Sequence, residues 1–137
     1  MRLIDFLENE ALESEKKFPQ FVHPIEEVFA RILDFYGIQW EYEPRTFPLR
    51  WDDEGNVLEA FTPDFYLPEQ NLFVELTTLR PRLTTKKNRK LKRLKELYPD
   101  INIKLFKRRE LRNMMLRFGL REEVERIIGT DAQEMDE

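Results

Sequence analysis

The seventeen residues FTPDFYLPEQNLFVELT, Phe61 to Thr77, constrain the fold more than any other part of the chain. Two apolar runs flank Pro68-Glu69-Gln70-Asn71, four turn-forming residues, which is the pattern of a β-hairpin. If Leu67 pairs with Leu72 across that loop, Tyr66 faces Phe73, Phe65 faces Val74 and Asp64 faces Glu75. Directly opposed Cβ atoms stand about 4.5–5.5 Å apart, and like charges placed so repel. A fold keeps such a pair when a cation compensates it, and oxygen ligands at this spacing suit Mg²⁺. Side-chain parity agrees: Leu72, Val74 and Leu76 share one face, while Glu75 shares the other with Phe73 and Thr77. A slip of one residue would send Asp64 and Glu75 to opposite faces, and they would then be two exposed acids at strand ends.

The rest of the chain supplies helices and strands around this hairpin. Residues 2–17 read as an amphipathic helix with Leu3, Phe6, Leu7 and Ala11 on one side. A second helix starts at Pro24, a first-turn residue, and stops at Gly37, with Ile25, Val28, Phe29, Ile32, Leu33 and Tyr36 as its apolar stripe. The period then changes to two. Residues 38–42 read as a strand that 46–51 continues past Pro44. A turn follows at 52–56, then strands at 57–67 and 72–77. A basic helix is expected over 85–98, with Thr84 and Thr85 capping it and their hydroxyls turned outward. Residues 101–106 alternate as a fourth strand. Helices over 109–118 and 121–128 follow, and the acidic tail 129–137 is expected to fray. The 137 residues make one domain. Its class is α/β (α+β), with elements in the order αα-βββ-α-β-αα. Trp40 and Trp51 read as core or sheet-face residues, with base stacking as the alternative.

Charge is segregated along the chain. The net charge is −4, yet residues 76–121 hold 16 bases against 3 acids, while residues 1–75 hold 17 acids against 6 bases. From Arg80 to Lys95 there are nine bases and no acid. A phosphate backbone meets such a local patch and not the chain average. Arg80, Arg82, Lys86, Arg89, Lys90 and Arg93 are therefore the expected nucleic-acid contacts, and Lys104, Lys107, Arg108, Arg109 and Arg112 extend the track. The alternative is that the acidic and basic halves neutralise each other in the fold. The absence of cysteine excludes disulfides, thiolate zinc sites and cysteine nucleophiles. The single histidine, His23, argues against a histidine metal site or a Ser-His-Asp triad, and it reads as a helix-start residue. Four glycines leave no Gly-rich phosphate cradle. No apolar run approaches the ~18 residues of a membrane span, and the acidic N-terminus lacks the apolar stretch of a signal peptide. The chain reads as soluble and cytoplasmic.

Pro63-Asp64, the hairpin and the apolar strand bearing Glu75 resemble the signature of the PD-(D/E)xK, or restriction-endonuclease-like, nuclease superfamily. The element order over a core of residues 24–106 is similar to that superfamily's common core, which implies a mixed four-stranded sheet in α-β-β-β-α-β order flanked by helices. The resemblance implies a metal-dependent endonuclease acting on DNA, with Asp64, Glu75 and the Leu76 backbone carbonyl as ligands of Mg²⁺ or Mn²⁺. It implies a further Glu from the first core helix, for which Glu26 at the edge of the apolar stripe is chosen over Glu27. The pattern also wants Lys two residues after the Glu, where this chain has Thr77. Lys87, four residues before Leu91 in the helix stripe Leu83, Leu91, Leu94, Tyr98, is expected to supply that ammonium, with Lys86 and Lys90 as second choices. A homodimer is compatible with this chemistry, since cutting two strands needs two sites. Two other functions fit the same residues: a catalytically inactive nucleic-acid-binding module, and a protein-interaction domain with a basic docking face.

Overall fold

A computed structural model describes residues 18–129. The helix expected over 2–17 and the tail from residue 130 lie outside the described residues. Helix α1 spans Pro24–Phe35, and strands β1 to β5 are Glu41–Tyr42, Phe47–Trp51, Val57–Phe61, Phe65–Leu67 and Leu72–Leu76. A 3₁₀ turn, Pro81–Leu83, leads into α2, Thr85–Leu97; β6 is Ile103–Phe106, α3 Arg108–Arg117 and α4 Arg121–Ile127. The fold is mixed α/β, a four-stranded sheet in the order β1-β4-β5-β6 with a separate two-stranded ribbon, β2-β3. Strands β1, β4 and β5 pair antiparallel, and β5 pairs parallel with β6. Helix α2 is the crossover that the parallel pair requires.

Alternation along β5 divides the interior. Val74 and Leu76 face a core built with Phe65 and with Ile25, Phe29, Leu111 and Met115 from the helices α1 and α3. Phe73 faces the opposite core, with Phe47, Leu49 and Phe61 of the ribbon and Leu91 and Leu94 of α2. Each such side chain contributes roughly 1.5–3 kcal/mol when fully buried. The same alternation turns Glu75 toward α2. Helix α1 begins as its sequence demands: His23 Nδ1 accepts the Ile25 N–H at 3.1 Å, and Glu26 completes the capping box.

The hairpin register is the expected one, with Leu67 opposite Leu72, Tyr66 opposite Phe73 and Phe65 opposite Val74. Three expectations need correction. The strand expected over 38–42 contracts to Glu41–Tyr42, and 47–51 does not continue it. Glu43 takes φ 45° ahead of Pro44, which turns the chain out of the sheet. The strand expected over 57–67 is two strands. Val57–Phe61 pairs with β2 in the ribbon, and the chain breaks at Thr62-Pro63-Asp64, where Pro63 has no N–H for a ladder. Leu83, expected in the apolar stripe of α2, sits in the 3₁₀ turn and is 54% exposed.

Candidate metal centre

Asp64 stands at the break before β4, and Glu75 lies near the end of β5. They interlock through the backbone. The Asp64 N–H donates to Glu75 Oε1 at 3.0 Å, and the Leu76 N–H donates to Asp64 Oδ2 at 2.8 Å. Glu75 is buried. Burial, and then the Glu75 charge, push the Asp64 carboxyl up to about 8 against the lowering effect of the Leu76 N–H. The charge of Glu26 acts in the same raising direction. Two carboxylates this close do not both ionise readily without a cation.

Lys87 supplies one. It is the third residue of α2, and its ammonium lies 2.9 Å from Glu75 Oε2 and 3.2 Å from the Leu76 carbonyl oxygen, to which it donates. The side chain is about three-quarters buried, with 24% of its surface accessible. Thr77, where the nuclease signature has lysine, is buried and used by the backbone. Its N–H donates to Phe106 O at 3.0 Å, and its hydroxyl accepts the Leu79 N–H at 3.2 Å. Strand and helix therefore bring Asp64, Glu75, the Leu76 carbonyl and Lys87 together at one end of β5. The oxygen donors suit a hard divalent cation, and Mg²⁺ commonly takes one or two carboxylates and keeps waters for the rest of its shell. Among the described residues, no three carboxylate, imidazole or thiol groups form a set that could hold a metal. The donor set that fits is two carboxylates and one backbone carbonyl.

Glu26 is buried, as its place on the stripe edge implied, while Glu27 is exposed and pairs with Arg31 at 2.9 Å. Glu26 Oε1 accepts the Tyr42 hydroxyl at 2.7 Å, the Val22 N–H at 3.1 Å and the His23 N–H at 3.4 Å. Its carboxylate caps α1 and is felt at Asp64 through its charge. Tyr42, absent from the sequence expectations, is the residue that holds it. Burial, then the Glu26 carboxylate, raise the Tyr42 hydroxyl far above the ordinary tyrosine range. Strand parity marks Tyr42 as the inward-facing residue of β1, beside Phe65, but does not name Glu26 as its partner.

The basic residues divide into two groups. Lys86 and Arg82 are exposed and Lys90 is half-buried on α2 and its approach. Arg80, half-buried, has partners of its own. Arg89 meets Glu59 at 3.4 Å, and Arg93 donates through Nε to Leu49 O at 3.1 Å. Those two fasten α2 to the ribbon. Farther along the track, Arg108 is buried and donates to Thr78 O at 2.9 Å, a packing role in place of the expected surface one. Lys104 lies 3.8 Å from Glu110. The Thr84 hydroxyl, expected to point outward, instead donates to Pro81 O at 2.7 Å and accepts from Asn88 Nδ2 at 3.3 Å. The preceding 3₁₀ turn draws it inward. No protein-family model, no curated protein and no solved structure matches this chain.

Proposed function

We propose that the protein is a metal-dependent nuclease that hydrolyses phosphodiester bonds, DNA being the substrate, through a restriction-endonuclease-like site. The observation that carries this reading is the Lys87 ammonium, which reaches Glu75 and the Leu76 carbonyl from the following helix. It stands at the strand end where Thr77 displaces the lysine of the signature. Asp64, Glu75 and the Leu76 carbonyl would hold Mg²⁺ or Mn²⁺. Such an ion, when bound, polarises a phosphoryl oxygen and lowers the pKa of an attacking water. Lys87 keeps a fixed positive charge beside Glu75, where it stabilises negative charge that develops on a phosphate. Asp64, whose burial favours the protonated form, would give up that proton to hold the cation. Lys86, Lys90 and Arg82 position a phosphate backbone and carry no sequence information.

The test is a cleavage assay on plasmid, single-stranded, branched and RNA substrates with Mg²⁺ or Mn²⁺. Cleavage is expected with either metal, and none in Asp64→Ala or Glu75→Ala. Undiminished cleavage in both variants would sink the reading. One observation favours a second reading, a catalytically inactive nucleic-acid-binding module. Glu26 is occupied by Tyr42 and the start of α1, so among the described residues two carboxylates remain for a metal. That module would bind nucleic acid in a salt-sensitive way and turn nothing over with any metal. No helix among the described residues is long and apolar enough to cross a membrane.

A further inference from the structure

The β2-β3 ribbon ends in an apolar surface that the centre itself does not use. Trp51 is 42% exposed, and Val57 and Leu58 are about half exposed. Trp51 and Val57 are cross-strand partners beside the turn. An isolated two-stranded ribbon is marginal in water, but this one is fixed along α2. The Tyr98 hydroxyl donates to Pro48 O at 2.8 Å, Arg93 Nε to Leu49 O at 3.1 Å, and Arg89 reaches Glu59, the partner of Arg50. Each step along β2 toward the turn matches a step along α2 toward its N-terminal end. The turn end of the ribbon is thus directed toward the end of α2 that carries Lys86 and Lys87. The turn is also preorganised: Asp52 Oδ1 accepts the N–H groups of Glu54 and Asn56 at 2.9 and 2.8 Å, and Oδ2 accepts the Asn56 amide at 3.0 Å.

We infer that the ribbon is a base-stacking arm and that the substrate is single-stranded or locally unpaired nucleic acid, with Trp51 as the stacking platform. This inference rests on the nuclease reading for its nucleic-acid partner. A cationic helix face beside an exposed aromatic ring is the combination that binds single strands, the backbone going to the bases of the protein and the nucleobases to the ring. The charges of the turn point the same way. Asp53 and Glu54 are exposed next to Trp51. They repel any phosphate backbone, which leaves the ring to a base face, and a regular duplex keeps its base faces stacked away. An unstacked base brings its aromatic face to Trp51 and leaves its phosphate to Lys86.

The experiment is equilibrium binding of a fluorescently labelled single-stranded oligonucleotide, and of a blunt duplex of equal length, in EDTA so that no cleavage intervenes. Trp51→Ala is expected to weaken single-strand binding on the order of tenfold, and Trp51→Phe to retain most of it. In a Trp40→Phe background, the single strand should quench the remaining Trp51 emission. Unchanged single-strand affinity in Trp51→Ala, or equally tight duplex binding by the wild type, would overturn the inference. So would self-association that Trp51→Ala abolishes, because the ribbon would then be an interface between copies. A separate cleavage measurement on Trp51→Ala keeps the two readings apart. Metal-dependent cutting with intact single-strand affinity removes only the stacking arm, whereas Trp51-dependent binding without any cutting removes only the hydrolytic reading.

Discussion

At the scale of single residues, the centre is a problem of three charges, and at one of them, Asp64, the proposed metal would compete with a proton. In the folded protein Asp64 holds its proton to about pH 8, against 3.8 for an unperturbed aspartate. A raised carboxyl pKa favours the fold fully below about pH 4, and this contribution fades as pH rises through about 8, by roughly a kcal/mol per unit. Asp64→Asn should flatten that slope in denaturant titrations of the metal-free protein. Because Mg²⁺ at the proposed centre would have to displace the same proton, its affinity should climb by up to about tenfold per pH unit below about pH 8 and level above it. Calorimetric titrations across that range check this, and a flat profile would contradict it. Lys87→Met should lower kcat by about a hundred- to a thousand-fold, with Lys87→Arg recovering part of the loss. The Asp64–Glu75 opposition was legible because a four-residue turn sets the hairpin register and the register sets the pairing. Lys87 was legible because it interrupts an apolar stripe. The Tyr42–Glu26 bond was not, since it joins residues sixteen positions apart whose meeting depends on how β1 lies against α1.

Among elements, α2 and the ribbon behave as one unit. The helix carries Lys87 to the end of β5, and the ribbon braces it through Tyr98, Arg93 and Arg89. Tyr98→Phe removes the hydroxyl that satisfies Pro48 O and should cost about 1 kcal/mol, seen as a lower Tm. The Lys87 approach, one helix length away, should keep its activity. A larger loss of kcat than of stability would show that the brace positions the ammonium. The ribbon is where sequence reading failed, and the failure has a physical source. Pro63 signals a break within residues 57–67, but a break alone does not say that the segments on either side of it belong to different sheets. Residue Glu43 turns the chain with a positive φ that nothing in a Glu side chain announces. The fold class survived because helix periodicity and the β5-α2-β6 crossover are strong signals. The membership of the sheet did not, because it depends on two breaks made by non-glycine residues.

For the whole molecule, the segregation of charge is the dominant fact. The basic stretch that follows Glu75 includes both the ammonium at the centre and the face beside it, and the acidic halves lie elsewhere in the chain. Binding to nucleic acid should weaken steeply with salt. Lys86→Ala and Lys90→Ala should each reduce the slope of log K against log salt by about 1. Arg93→Ala should act mainly on stability, since its guanidinium is committed to Leu49 O. Affinity measured at four or five salt concentrations distinguishes these effects. The proposed hydrolysis depends on Asp64, Glu75 and Lys87. Its most direct test is the single-turnover rate of phosphodiester cleavage as Mg²⁺ is titrated, for the wild-type protein beside Glu75→Ala. Saturable, Mg²⁺-dependent cleavage that disappears in Glu75→Ala is the predicted result; cleavage independent of both the metal and Glu75, or no cleavage of any substrate at any metal concentration, would contradict it.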